Sequence, residues 1–131
     1  MGNKPANEDS EEANKVLAVT LVNASSVTLN LAIARVNEGY WKGAAPKSGS
    51  TYPPGGSFYA VNAADSSYGA VSGYLKFELS SGGYLIAQWT WEFSKSLRVD
   101  AYCDSDKLTV EYDTLNPQSN SATFQITVSN G

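Results

Sequence analysis

From residue 16 to the C-terminus, apolar and polar residues alternate in short blocks separated by turn-forming residues. The clearest block spans residues 68–93. Leu75, Phe77 and Leu79 alternate with Tyr74, Lys76 and Glu78. After Ser80-Ser81-Gly82-Gly83, Leu85, Ala87, Trp89, Trp91 and Phe93 share one parity, and Gln88, Thr90 and Glu92 the other. A period of two puts successive side chains on opposite faces, and a Gly-Gly pair permits a tight reversal. The block therefore predicts an antiparallel hairpin with one buried face. Residues 16–22 predict a strand and Asn23-Ala24-Ser25-Ser26 a turn. Val27, Leu29, Leu31 and Ile33 then alternate with polar or small residues, predicting a second strand in a hairpin with the first. Further strands are predicted at residues 57–61, along Leu97, Val99, Ala101 and Cys103, along Leu108, Val110 and Tyr112, and along Phe124, Ile126 and Val128. Asp104-Ser105-Asp106 reads as a hairpin turn. No stretch keeps a helical period, so the pattern predicts an all-β protein, an antiparallel two-sheet β-sandwich.

Two stretches fall outside this pattern. Residues 1–14 carry a proline and a short acidic run with no apolar period, and predict a disordered or loosely attached arm ahead of one domain over residues 15–131. Residues 43–56 predict a loop in which Pro46, Pro53 and Pro54 exclude a central strand. Loops well above the usual length of about 4–6 residues are often functional or mobile.

Charge and composition remove several functions. A net charge of −4 leaves no basic footprint for nucleic acid. The chain has no histidine, which excludes Ser-His-Asp and Cys-His nucleophiles and removes the commonest metal ligand. The single cysteine, Cys103, excludes an internal disulfide and shares the parity of Leu97 and Val99, as a small buried apolar residue does. Glu78, Glu92, Glu111 and Asp113 fall on outward faces, where solvation explains them as well as a catalytic pair would. Asp100, Asp104 and Asp106 do not follow the EF-hand spacing, and turn chemistry accounts for them. Gly69 and Gly73 bracket a segment that lacks a following Gly-Lys-Ser/Thr and runs into a strand, so it is no phosphate loop. The expectation is a non-enzymatic protein with no metal and no cofactor. No charged start is followed by an apolar block, so no conventional secretory signal is visible.

Aromatic residues are the remaining functional signal: eight Tyr and three Trp beside four Phe. Trp89, Trp91, Phe93, Phe77, Phe124 and Tyr112 lie on predicted inward faces. Tyr40, Trp41, Tyr52, Tyr59, Tyr68, Tyr84 and Tyr102 stand beside turns, in the proline-rich loop or on the polar parity. Rings with one apolar side and one wet tip suit membrane interfaces and binding surfaces. The expectation is that they gather at one rim of the sandwich.

Several segments in order resemble the aegerolysins, small acidic β-sandwich proteins, and especially the short components of bacterial insecticidal binary toxins. These are Val19 through Asn23, Gly39-Tyr40-Trp41-Lys42, Pro54-Gly55-Gly56-Ser57 leading to Asn62, Gly69 and Gly73 ahead of Leu75 and Phe77, and Trp89 with Phe93. The resemblance spans residues 16–128. The chain departs from the family pattern at Glu92, where the family has proline, and lacks its paired cysteines. The resemblance implies recognition of membrane lipids, often sphingolipids, and pore formation with a larger partner protein. It also implies action at a target-cell membrane after synthesis in the cytoplasm and release or secretion. The family's surface aromatics map onto Trp41 and Phe93, with Trp89 nearby. With the loop aromatics, the expected lipid- or ligand-contacting set is Tyr40, Trp41, Lys42, Tyr52, Tyr68, Trp89 and Phe93. The sandwich is also similar to that of actinoporins, which insert an amphipathic N-terminal helix. Here the N-terminal stretch has no apolar stripe, so pores are not expected from this chain alone. Self-association is compatible with this reading. Two others stay open: a lectin-like sandwich stacking sugars on Tyr or Trp, and an interaction module pairing through a strand edge.

Overall fold

The computed structural model describes residues 14–131, so the predicted arm lies almost wholly outside the described residues. Ten strands follow in order: β1 (Val16–Ala24), β2 (Leu29–Glu38), β3 (Tyr40–Trp41), β4 (Thr51–Tyr52), β5 (Ser57–Ala63), β6 (Val71–Leu79), β7 (Tyr84–Trp91), β8 (Arg98–Cys103), β9 (Leu108–Leu115) and β10 (Ser121–Asn130). They form two five-stranded sheets, β3-β5-β1-β10-β9 and β4-β2-β6-β7-β8. The architecture is the expected all-β, two-sheet sandwich. The β6–β7 hairpin forms as the alternation predicts, from Glu78 opposite Tyr84 to Val71 opposite Trp91, with Gly82 and Gly83 at φ 98° and 90°.

The pairings between blocks differ from the expectation. β1 and β2 are not a hairpin, and neither are β8 and β9: in each case the chain crosses from one sheet to the other. Alternation marks a strand with one buried face but not the sheet that holds it, since both inner faces look the same in sequence. At the first crossing the buried Asn23 makes the corner. Its Nδ2 donates to the carbonyls of Val27 (2.8 Å) and Tyr52 (2.9 Å), and its Oδ1 accepts from the backbone N–H and hydroxyl of Ser25. β1 instead pairs in parallel with β10, from Val16 opposite Ser121 to Ala24 opposite Ser129, at the middle of the first sheet. The proline-rich loop holds β4, an edge strand whose Tyr52 lies opposite Leu29. In β2 the register shifts between Leu31 and Ile33. The shift turns Ile33 outward, against the expected alternation, and lets Ala34 pack on the core.

The core lies between the sheets. Leu17, Val19, Leu21, Phe58, Phe124, Ile126 and Val128 face Leu29, Leu31, Leu75, Phe77, Leu85 and Trp89. Phe58 meets Phe77 edge-on across the layers, with centroids 5.7 Å apart and planes at 89°.

Candidate functional site

Trp89 is the pivot for one end of the sandwich. Its ring lies over Gly73, where a Cβ would collide with it. Its indole N–H donates to Asn62 Oδ1 at 2.9 Å. The buried Asn62 spends its amide on the carbonyls of Glu38 and Tyr40, each at 3.2 Å, which ties the end of β2 and the whole of β3 to the core. Gly39, at φ 86°, makes the kink between them, and a side chain there would meet the backbone oxygen of Ala63. Trp41 then packs edge-on against Trp89, with centroids 6.3 Å apart. Tyr40, one residue earlier, falls on the opposite parity and is exposed.

At this same end run the connections at residues 64–70, 92–97 and 116–120, because β1 and β10 begin here and β5 and β7 finish here. Tyr68 and Phe93 meet across two of these connections, with ring centroids 5.0 Å apart. Both remain open to solvent, 74% and 48% exposed. Beside them lies a cleft of about 480 Å³ whose lining includes Lys15, Trp91, Phe93 and Pro117. Lys15 is only 6% exposed. Its Nζ stands 5.6 Å from the Trp91 ring centroid and 5.4 Å from that of Phe93. Lys95, which also lines the cleft, pairs loosely with Glu92 at 3.6 Å.

The expected contact set therefore divides. Tyr68 and Phe93 come together, and Tyr40 stands at the same end over a half-buried Trp41. Phe93 was expected inward by parity, but β7 stops at Trp91 and the chain turns before it. Lys42 leaves β3 for the outer face of the first sheet, where it borders a shallow cleft of about 420 Å³ with Tyr59 and Val61. Tyr52 lies at the far end, wedged against Phe58 and Phe77. Trp89 is interior at 2% exposure, so it supports the site without touching a ligand.

Tyrosines are not gathered at one rim, as was expected. Tyr84 and Tyr102 lie on the outer face of the second sheet, with Tyr74 under Arg35 and Tyr84 beside Lys76. Tyr112, expected inward, is on the edge strand β9, half exposed against Phe124. Asp100 and Asp104 have separate partners: Asp104 accepts the Tyr84 N–H at 2.7 Å, and Asp100 faces the Tyr112 hydroxyl at 3.4 Å. Among the described residues no cluster of three metal-ligating side chains occurs. Sequence reading missed Lys15 as a site residue. The signal was present, since Lys15 shares the parity of Leu17, Val19 and Leu21 and so points a charge inward.

This two-sheet sandwich recurs among solved structures. A lipid binding protein, Nakanori, superposes with TM-score 0.73 and 11% identity, covering 88% of this chain and 71% of Nakanori. IP-1A from Alcaligenes faecalis superposes with TM-score 0.71 and 14% identity over 97% of each chain. RahU, solved in complex with a TRIS molecule, gives TM-score 0.67 and 15% identity over 92% of this chain and 96% of RahU. At these identities the likeness is one of fold, and the fold is the sandwich that the aegerolysin resemblance implies. No family model and no curated protein matches the chain.

Proposed function

We propose that this chain is a non-enzymatic lipid-binding protein that docks on a target membrane through the end bearing Tyr40, Tyr68 and Phe93. On this reading it is a toxin component that needs a larger partner protein to complete a pore, with a sphingolipid-type headgroup as the target. The Tyr68–Phe93 pair carries the reading: two rings in contact, both largely solvated, on loops at one end of a rigid sandwich. Exposed aromatics on rigid supports lose little entropy on entering the headgroup layer. The fold shared with Nakanori, described as a lipid binding protein, supports it. Synthesis in the cytoplasm followed by release is part of the same proposal.

The test is vesicle co-sedimentation with sphingomyelin and phosphatidylcholine. Phe93→Ala is expected to weaken binding about tenfold, from the loss of roughly half a phenyl burial. Trp41→Ala is expected to weaken it by displacing Tyr40. Equal binding by wild type and both variants on every mixture refutes the reading. A second reading, sugar binding, draws on Tyr84 and Tyr102 beside Gln88 and Asp100 on the second sheet's outer face. A glycan array with Tyr102→Ala separates the two.

A further inference from the structure

Lysine is almost never withdrawn from water unless its charge is matched, because the ammonium loses its hydration on burial. Lys15 is withdrawn, at 6% exposure, yet still lines the cleft at the aromatic end. The faces of Trp91 and Phe93 supply part of the compensation, 5.6 Å and 5.4 Å from Nζ. No carboxylate of a described residue pairs with it. The cleft around it is built of hydroxyl and amide groups, Ser67, Ser94, Ser96 and Gln118 among them. Among the described residues its charged lining side chains are Lys15 and Lys95, and of these Lys95 already pairs with Glu92.

The two walls also hold unusual backbone. Ser94 at φ 58° and Asn116 at φ 56° are the non-glycine residues with positive φ among the described residues, one in each of the loops that flank the cleft. Such conformations collect at functional sites, where the surroundings hold them in place.

We infer that this cleft binds a phosphate group, with Lys15 as its counter-ion and the surrounding hydroxyls and amides as donors to its oxygens. A tetrahedral oxyanion accepts from several directions, which suits donors on three separate connections better than a planar carboxylate does. The inference deepens the membrane reading and rests on it for the source of the phosphate, a lipid headgroup. A free phosphate ester carries the same chemistry.

The experiment follows the Trp91 indole N–H by NMR during titration with inorganic phosphate at constant ionic strength, against chloride. Wild-type protein is expected to give a saturable shift with phosphate and none with chloride. Lys15→Met and Ser96→Asp are each expected to weaken that binding at least tenfold, and Lys15→Arg to restore most of it. Ser96 is exposed, so Ser96→Asp places a carboxylate in the cleft without disturbing the core and serves if Lys15→Met fails to fold. An absent phosphate shift, or one unchanged by Ser96→Asp, overturns the inference even where vesicle binding persists. The same proteins are then sedimented with phosphatidylcholine vesicles. Loss of vesicle binding in parallel with phosphate binding supports a headgroup source. Phosphate binding that depends on Lys15, in a protein that binds no vesicle, supports the anion site with a free ester as its source and refutes the membrane reading.

Discussion

Asn62 joins three elements through one side chain, accepting from Trp89 and donating to the carbonyls of Glu38 and Tyr40. Removing it leaves a buried indole N–H and two carbonyls unpaired, each costing about 1–3 kcal/mol. Asn62→Ala is therefore expected to lower the melting temperature by roughly 10 °C or more and to release Trp41, seen as a red shift in tryptophan emission. An unchanged melt with unchanged emission contradicts the account of how the aromatic end is supported. Gly73→Ala tests the same support from below, because its methyl collides with the Trp89 ring and cannot be absorbed by a flexible neighbour.

Strands were legible wherever the pattern was local. The β6–β7 hairpin needed only alternation and a Gly-Gly turn, and its register follows from the turn. The crossings at residues 25–28 and 104–107 were not legible, because a corner and a hairpin turn use the same Asn, Asp and Ser residues. At the first crossing the corner is set by Asn23, whose amide reaches Val27 in the connection and Tyr52 on β4, which is remote in sequence. The site was legible in part: Tyr68 and Phe93 were named, but their contact depends on loops whose meeting no periodicity encodes. β3 is the element that couples fold to site. Gly39→Ala forces a Cβ toward the Ala63 carbonyl at a positive φ, and is expected to cost more than about 1 kcal/mol. Chemical denaturation measures that cost, and loss of near-UV circular dichroism from Trp41 reports the detachment of β3. Retention of both stability and signal counts against the role assigned to this strand.

At the scale of the whole molecule, a net charge of −4 opposes approach to a strongly anionic bilayer. At low salt, binding to zwitterionic phosphatidylcholine vesicles is expected to exceed binding to vesicles rich in phosphatidylserine. The gap is expected to close as the Debye length falls to about 3 Å near 1 M salt. Binding that rises with phosphatidylserine content contradicts this. Docking through the aromatic end fixes the orientation of the sandwich on the bilayer. An environment-sensitive fluorophore is attached in turn at Ser66→Cys, an exposed position beside Tyr68, and at Ser81→Cys, in protein carrying Cys103→Ser, and quenched by lipid-borne nitroxide. A blue shift and quenching are expected at position 66 and neither at position 81, which lies at the opposite end of the sandwich. Quenching at position 81 alone, or at neither position in vesicle-bound protein, contradicts it.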